Sequence, residues 1–341
     1  MPRHRSRTAP SIVEVAAASG VSMKTVSRVL NEEGSVREDT ARKVREAAAA
    51  LGYTLNLSAQ RLARGRSHNI GILLVARSNW QRTAELVSGA LGKSQAIGYG
   101  LVPHVLAKYE GAERDGVLAL KARKAVDGLI LTVPWSENLK LLADLAERAV
   151  PHVRISGPLI PGHVTAHSND EMGAYALTRH LLDLGHRRIG VIGGQRHLNV
   201  TRERLAGYEH ALREAAIDPR SLPHFFDDYL FGTGFRGAKE LLALSAPPSA
   251  LLCLTDILAA GAIRRCHEMN VTVPGKVSIA GMGDSSIAEM IWPTLTTATV
   301  PTAELAARAV GMLVDVIEGK TAPTDLILDV PLVVRGSTAR V

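Results

Sequence analysis

From residue 69 to residue 318 the chain alternates between short apolar runs and helix-like stretches, and this alternation limits the possible folds more than any other feature. The apolar runs, each typical of a buried strand, include NIGILLVA (69–76), VDGLILTV (126–133), RIGVIGG (188–194) and SALLCLT (249–255). Stretches with apolar residues at helical spacing lie between them, for example 82–97, 111–124, 171–184 and 257–269. Strands that alternate with helices predict right-handed βαβ units, and therefore parallel sheets with helices on both faces.

This alternating region is too long for a single sheet of that kind. About 270 residues favour two similar halves, since one hydrophobic core stops growing near that size. We therefore predict an α/β body of two doubly wound parallel-sheet subdomains. The chain is expected to switch between them near 157–165 and again near 290.

Before this body, residues 11–52 contain the patterns of three short helices. Ser11 followed by Glu14 forms a capping box at the start of the first helix, and Gly20 ends it. Ser22 is the candidate N-cap of the second helix, VSMKTVSRVLN. The third runs through REDTARKVREAAAALGY and stops at Gly52. The N-terminal part is thus predicted to be an all-α head.

The positive charge of the chain is concentrated in this head and the residues that follow it. Residues 1–66 contain twelve Lys and Arg against six Asp and Glu, whereas the rest of the chain contains 28 against 27. A basic module on a near-neutral body indicates a polyanion partner. A solvated basic tail is the alternative.

The first two helices are joined by the tight turn SGVS, which is typical of a helix-turn-helix. In that motif the second helix enters the major groove of DNA with its N-terminal residues at the base edges. Met23 and Lys24 stand at this leading end and Arg28 lies one turn further on, so these residues are the candidate base readers. Candidate phosphate contacts are the short polar residues Ser22, Thr25, Ser27 and Asn31. An ordinary surface helix is the alternative.

Polar side chains that follow strands or begin helices in the body are candidates for binding a small effector, because ligands of parallel sheets bind beyond the carboxyl ends of the strands. They comprise amides, carboxylates, arginines and aromatic rings, which suit a hydroxyl-rich ligand. The candidates are Ser78, Asn79, Trp80, Arg82, Trp135, Asn169, Arg202, Arg204, Tyr229, Asp256 and Asp284. Any of them can instead be structural, and Asp256 can serve as a helix N-cap.

Other kinds of chemistry have no signature in the sequence. The twelve histidines lack metal-ligand spacing, and GVIGGQ (190–195) lacks the spacing of a dinucleotide fingerprint. We expect no cofactor, no metal and no enzymatic activity. With only Cys253 and Cys266, no secretory signal and no apolar run of membrane-spanning length, the chain is expected to be cytoplasmic and not to associate with a membrane.

Several motifs of the chain belong together in one known family. TVSRVLN, LGY and ARGRS occur at characteristic spacings near the N-terminus, and RHLLDLGHRRIGVIGG and PTLTTATVP occur in the body. With these motifs the whole chain resembles the lactose-repressor (LacI/GalR) family of bacterial transcription regulators. The resemblance implies a helix-turn-helix head on a body with the fold of periplasmic binding proteins.

The resemblance also implies roles for individual residues. Met23, Lys24 and Arg28 would read bases, and Tyr53 would contact the DNA backbone. LSAQRLA (57–63) matches the hinge helix, so Asn56, Ala59 and Leu62 would contact DNA, with Leu62 as the wedge between base steps. Arg204 matches an arginine that contacts effectors, and Tyr229 matches an aromatic pocket position.

Two departures from the family pattern change the expected pocket. Many relatives carry an aromatic pair after SN, where this chain has Trp80, Gln81 and Arg82. Many carry Asp where this chain has Gly283, and Asp284 follows. The pocket should be more cationic than usual, so a sugar is expected and a sugar acid is favoured by Arg77, Arg82 and Arg204.

The sequence therefore predicts a regulator, most simply a repressor, that acts as a homodimer on double-stranded operator DNA under the control of a carbohydrate effector. The expected domains are a DNA-binding domain at 1–54, a hinge at 55–67, and an effector-binding and dimerisation domain at 68–341. A sugar-binding protein of a transport system, which shares the body fold, is the alternative. Activation and corepression remain open.

Overall fold

The computed structural model describes residues 10–30, 36–53, 66–76, 80–321 and 323–341, and the chain divides into two units between Arg66 and Ser67. In its described part the first unit has three helices, α1 (Ile12–Ser19), α2 (Met23–Leu30) and α3 (Glu38–Leu51). One apolar face of each helix meets the others in a small core that includes Val15, Val26 and Val44. The predicted all-α head is confirmed.

The second unit begins with a six-stranded sheet, which we call the N-subdomain sheet. Its strand order is β11-β5-β4-β3-β1-β2, and every neighbouring pair is parallel. The strands are β1 (Asn69–Val75), β2 (Gly100–Leu106), β3 (Gly128–Leu131), β4 (His152–Ile155), β5 (Thr165–Ser168) and β11 (Asp325–Leu328). Because the strands are parallel, all their carboxyl ends meet at one edge of the sheet.

Helices cover both faces of this sheet. They are α4 (Trp80–Ala96), α5 (Gly111–Ala122), α6 (Leu139–Glu147) and α12 (Thr302–Glu318). Side chains of β1 alternate between the faces: Ile70 and Ile72 pack with α4 and α12, while Leu73 packs with α5 and α6. Burial on both faces explains why β1 is a continuous apolar run.

The C-subdomain sheet has four parallel strands in the order β7-β6-β8-β9. They are β6 (Ile189–Gly193), β7 (His224–Phe226), β8 (Ala250–Cys253) and β9 (Ser278–Ala280). Helices α7 (Asp170–Asp183) and α8 (Asn199–Glu214) cover one face, and α9 (Phe231–Leu242) and α10 (Asp256–Glu268) cover the other. A short helix α11 (Ser286–Met290) and an antiparallel pair, β10 (Thr297–Ala298) with β12 (Leu332–Val333), complete this subdomain. The two doubly wound subdomains are confirmed.

The chain passes between the subdomains three times, whereas the sequence predicts two passages. The first lies between β5 and α7, a few residues after 157–165, because TAHS of β5 still pairs in the N-subdomain sheet. The second lies between β10 and α12, near 300 instead of 290. The third follows β11, which was not predicted from the sequence because its apolar run of three residues is too short to mark a strand.

In the described part of the chain, no helix combines the length and apolarity needed to cross a bilayer. Cys253 and Cys266 are free thiols buried in the C-subdomain core, as small apolar residues would be.

Candidate nucleic-acid interface and ligand cleft

The turn between α1 and α2 places the two helices as in a helix-turn-helix. Ser11 and Glu14 form the expected capping box at the start of α1. Gly20 ends the helix with a φ of 68°, a left-handed conformation that favours glycine, and its neighbour Val21 donates back to the Ala16 carbonyl. Ser22 then caps α2, since its Oγ accepts from the Thr25 amide at 3.2 Å.

Helix α2 has one buried face and one cationic exposed face. Val26 and Val29 are buried in the core of the first unit. Met23, 53% exposed, stands at the N-terminal end, and Lys24 and Arg28 are exposed one turn apart. The face presented to solvent therefore carries an apolar side chain followed by two cations.

The charges of α2 differ from those of α3 in their partners. On α3, Arg42 pairs with Asp39 and Arg45 pairs with Glu38. Lys24 and Arg28 of α2 form no ion pair with any residue in the described ranges. These two cations are therefore available to an anionic partner.

The remaining candidates for DNA contact divide between described and undescribed positions. Ser22, Thr25 and Ser27 lie on α2 or at its start, on or beside the exposed face. Tyr53 is half-buried against the core of the first unit. Asn31, Asn56, Ala59 and Leu62 lie outside the described residues, as does most of the predicted hinge at 55–67.

In the second unit, a cavity of about 510 Å³ lies between the two subdomains. Its walls come from residues at or beyond the carboxyl ends of β1, β3, β6, β7 and β8, as expected for parallel sheets. The N-subdomain contributes Val75, Arg82, Val133 and Pro134. The C-subdomain contributes Gln195, His197, Leu198, Val200, Arg204, Asp228, Tyr229, Leu230 and Thr255. The volume and the mainly apolar wall with few polar groups suit a small organic ligand.

Arg204 reaches this cavity from α8 but is held inside the C-subdomain. Only 2% of the residue is exposed. Its Nε and Nη2 lie 2.7 and 2.6 Å from Asp170 Oδ1, and its Nη1 donates to the Leu254 carbonyl. Burial lowers the pKa of Arg204, but Asp170, Tyr229 and Glu203 together outweigh burial, so the pKa is raised. Arg204 thus links the start of α7 to the end of β8.

Other polar groups on the C-subdomain wall are also engaged internally. The Tyr229 hydroxyl is hydrogen-bonded to that of Thr201 at 2.7 Å, and burial raises the pKa of Tyr229. Asp228 Oδ1 accepts from the Leu230 amide at 3.1 Å and from the Thr233 hydroxyl. Neither side chain is left without a partner on its own subdomain.

Arg82 differs from these groups because it has no such partner. It stands on α4 of the N-subdomain and lines the main cavity and both smaller cavities beside it. It forms no ion pair or hydrogen bond with any residue in the described part of the chain. Burial, and next the nearby Arg204 cation, lower the pKa of Arg82.

Two polar contacts among the described residues span the cleft between the subdomains. Glu137, in a 3-10 turn after β3, accepts from the amide of Asn199 at 3.2 and 3.1 Å through its two oxygens, at the start of α8. Burial raises the pKa of Glu137, and this hydrogen bond opposes the rise. Gln81 Nε2 donates to Ser286 Oγ at 2.8 Å. Both contacts stabilise the present approach of the subdomains.

Replacing Glu137 with glutamine is expected to weaken ligand binding about fivefold. The change removes the charge that stabilises the N-terminus of α8, an interaction of about 1 kcal/mol. If the ligand binds the closed form and the open form predominates without ligand, a less stable closed form lowers the apparent affinity by the same free energy. Isothermal titration calorimetry with any ligand that binds the wild type measures the effect. Glu147→Gln, on an exposed face of α6, is the control.

Equal affinities for Glu137→Gln and wild type would show that the contact across the cleft does not contribute to closure.

Of the predicted effector-binding residues, Arg82, Arg204 and Tyr229 lie together on the main cavity, and Asp256 lines a small neighbouring one. Asp256 is nevertheless oriented into its own subdomain, where it accepts from Ser285 and Thr297. Ser78 and Asn79, with Arg77, lie outside the described residues.

The other predicted residues do not line the cavity, and each has a local structural role or is exposed elsewhere. Trp135 packs in the N-subdomain core, and Asn169 caps α7 by accepting from Met172. Asp284 pairs with Arg335 at 2.7 Å. Trp80 is 71% exposed, and Arg202 is exposed beside Asn199.

The segment after β6, which forms much of the C-subdomain wall, was not predicted from the sequence to bind a ligand. Gln195, His197, Leu198 and Val200 all line the cavity. From the sequence, GVIGGQ was compared only with a dinucleotide fingerprint, although the rule about the carboxyl ends of strands applies to β6 as well.

Comparisons with known proteins match both units. Residues 11–56 match the family model described as bacterial regulatory proteins, lacI family, and residues 178–338 match the periplasmic binding protein-like domain. The transcriptional regulator RegA of Clostridium saccharobutylicum is 34% identical over 97% of this chain and 99% of its own length.

Two solved structures extend the match to the fold of the whole chain. The lac repressor dimer bound to operator and the anti-inducer ONPF is 26% identical with a TM-score of 0.85, covering 97% of this chain and 100% of that one. The complex of the transcriptional regulator CelR with cellobiose is 28% identical with a TM-score of 0.72, covering 96% and 99%.

Proposed function

Because the chain belongs to the lacI family of bacterial regulatory proteins, we propose that it is a sequence-specific transcriptional regulator, most simply a repressor, whose affinity for operator DNA is controlled by a small carbohydrate effector. The observation that carries this proposal is the presence, in one chain, of a helix-turn-helix with an unpaired cationic face and of a ligand-sized cavity between two subdomains.

In this proposal α2 lies in the major groove. Lys24 and Arg28 are free to donate to guanine or to phosphate, and Met23 is exposed at the end that would meet the bases. Ser22, Thr25 and Ser27, with Asn31, contact phosphates and set the position of the helix without specifying sequence. Tyr53 contacts the DNA backbone.

The proposed division of the chain is a DNA-binding domain at 1–54, a hinge at 55–67 and an effector-binding and dimerisation domain at 68–341. Asn56, Ala59 and Leu62 are proposed to contact DNA from the hinge, with Leu62 between base steps. A homodimer is proposed because helix-turn-helix proteins recognise paired half-sites, and the similar lac repressor binds its operator as a dimer.

The effector is proposed to act by changing how often the cleft is closed. It can do so only through a difference in its affinity for the open and closed forms. Glu137 and Gln81 are positioned to favour the closed form. In a dimer, closure changes the spacing of the two N-subdomains, and this spacing permits or prevents both heads from engaging their half-sites.

We further propose that the cleft binds its ligand without reaction. The carboxylates beside the main cavity are engaged: Asp170 with Arg204, Asp228 with Thr233, and Asp256 with Thr297. Each of these three already accepts from a group of the protein, which makes it a poorer general base. A transport protein that binds sugar would leave the cationic helix-turn-helix without a role.

A mobility-shift assay tests the proposal. The full-length protein is incubated with DNA from upstream of its own gene, with and without a panel of sugars and sugar acids. We expect a specific shift that survives competitor DNA and changes with at least one member of the panel. No specific shift under any of these conditions would contradict the regulatory function.

A further inference from the structure

The inference concerns the charge of the effector, and it rests on the proposed function. The main cavity is walled by apolar side chains and by one aromatic ring, Tyr229, which suit the carbon skeleton of a small ligand. The polar groups on that wall then decide which ligand chemistry is accepted. These groups are not equally available, because most are already hydrogen-bonded within the protein.

The carboxylates at and beside this wall already have partners within the protein. Asp228 accepts two hydrogen bonds from its own subdomain, and Asp170, whose charge also acts on Arg82, is paired with Arg204. A neutral sugar is commonly held by carboxylates that accept from its hydroxyl groups. On the described wall of this cavity Asp228 is the carboxylate, and only its Oδ2 has no hydrogen bond within the described chain.

Arg82 is a donor that is left available. Its guanidinium carries five N–H groups, and none donates to a residue in the described chain. The charged or titratable groups that face it are Arg204, Asp170, Glu85 and Tyr229. Glu85, one turn further along α4, lines a neighbouring small cavity with Thr302 and forms no ion pair with Arg82 in the described structure.

An unpaired cation that is partly buried in a cleft is unfavourable unless a partner arrives with the ligand. The guanidinium has the planar fork that binds a carboxylate through two parallel hydrogen bonds. We infer that the effector is an anionic carbohydrate, a sugar acid of monosaccharide size, and that its carboxylate pairs with Arg82 at the N-subdomain wall. Arg82 is thus the residue that selects the acid over the corresponding neutral sugar.

The experiment compares sugars that differ only in this charge. Calorimetric titrations at fixed salt use glucuronate, galacturonate and gluconate against glucose, galactose and glucitol. We expect at least one acid to bind ten or more times more tightly than its neutral partner, and Arg82→Gln to weaken that acid about 30-fold or more. Arg82→Lys should keep part of the affinity. Lys93→Gln, which removes an exposed charge about three turns along α4, should change it less than twofold.

A second measurement needs no ligand. If Arg82 has no partner in the free protein, replacing it with the neutral glutamine removes an uncompensated charge from the cleft, so the unfolding temperature should stay the same or rise. A fall of several degrees would instead indicate that Arg82 makes a structural ion pair, and the inference would be rejected.

Several results would overturn the inference while leaving the regulatory function in place. One is a neutral sugar that binds as tightly as its acid and also releases the protein from DNA. Another is an acid that binds Arg82→Gln as tightly as it binds the wild type. Failure of all three acids to bind at millimolar concentration also rejects it. Failure of the wild type to shift DNA specifically would instead contradict the proposed function itself.

Discussion

Lys24→Ala is expected to reduce affinity for the preferred operator by about tenfold to a hundredfold and to change which operator variants are preferred. Lys24 is exposed near the N-terminal end of α2 and has no ion-pair partner in the described chain, so its cation is free to bond a base edge. A good base contact contributes roughly 1–3 kcal/mol of discrimination. The fold should not suffer, because alanine is a strong helix former and the site is exposed.

Lys43→Ala is the matched control for this substitution. Lys43 is an exposed lysine of α3 in the same unit, so both variants remove one positive charge. If only the overall charge of the head matters, the two variants should lose the same amount of affinity on every sequence. The salt dependence of binding should then be smaller for both variants than for the wild type.

Titrations of a set of single-base operator variants at one salt concentration separate these outcomes. For Lys24→Ala we expect the largest loss of affinity on the preferred sequence. The loss should be smaller on operators that are changed at the base pair that Lys24 contacts. A uniform loss across all variants, matching that of Lys43→Ala, would mean that Lys24 contacts phosphate and does not read sequence.

The sequence predicts the first unit well because its signals are local. Ser11 and Glu14 lie three residues apart and form the capping box that their spacing indicates. Val26 and Val29 share one helical face and are both buried, which leaves Lys24 and Arg28 on the other side. Each of these features depends on residues within one or two turns of the chain, so no knowledge of the tertiary structure is needed.

For the second unit the sequence predicts the two sheets but not every strand, since some strand pairings join residues that are far apart in the chain. The alternation of strands and helices identifies two parallel sheets, but β11 adds to the N-subdomain sheet beside β5, more than 150 residues away in sequence. Nothing in DLIL indicates that partner. Because β11 pairs with β5, the chain must return to the C-subdomain after β11. This third passage was not predicted, since β11 itself was not predicted.

The candidate ligand residues show the same limit. The rule about the carboxyl ends of strands correctly selects loops that line the cavity, including that of Tyr229. It cannot tell which side chain of a loop faces the cavity, and Trp135 packs into the core beside the residues that do. The sequence also does not show which charged residues form ion pairs. Arg204 and Arg82 look alike in the sequence, yet Arg204 is paired with Asp170 and Arg82 is not.

Arg204→Ala is therefore expected to do more than remove a ligand contact. Because Asp170 is 3% exposed and loses its cationic partner, the free energy of unfolding of the second unit should fall by about 3–5 kcal/mol. The response to effector should be lost as well, since Arg204 lines the cavity. Urea denaturation without ligand measures the first effect, and a mobility shift with the active effector measures the second.

Two further variants show whether the pair acts as a unit. Arg202→Ala, an exposed arginine two residues earlier on α8, should change the unfolding free energy by less than about 0.5 kcal/mol. Adding Asp170→Asn to Arg204→Ala should cost less than the sum of the single effects, because the second change removes the carboxylate that the first leaves uncompensated. Unchanged stability in Arg204→Ala, together with loss of the response, would instead make Arg204 a ligand contact with no structural role, despite its burial and its short contacts to Asp170.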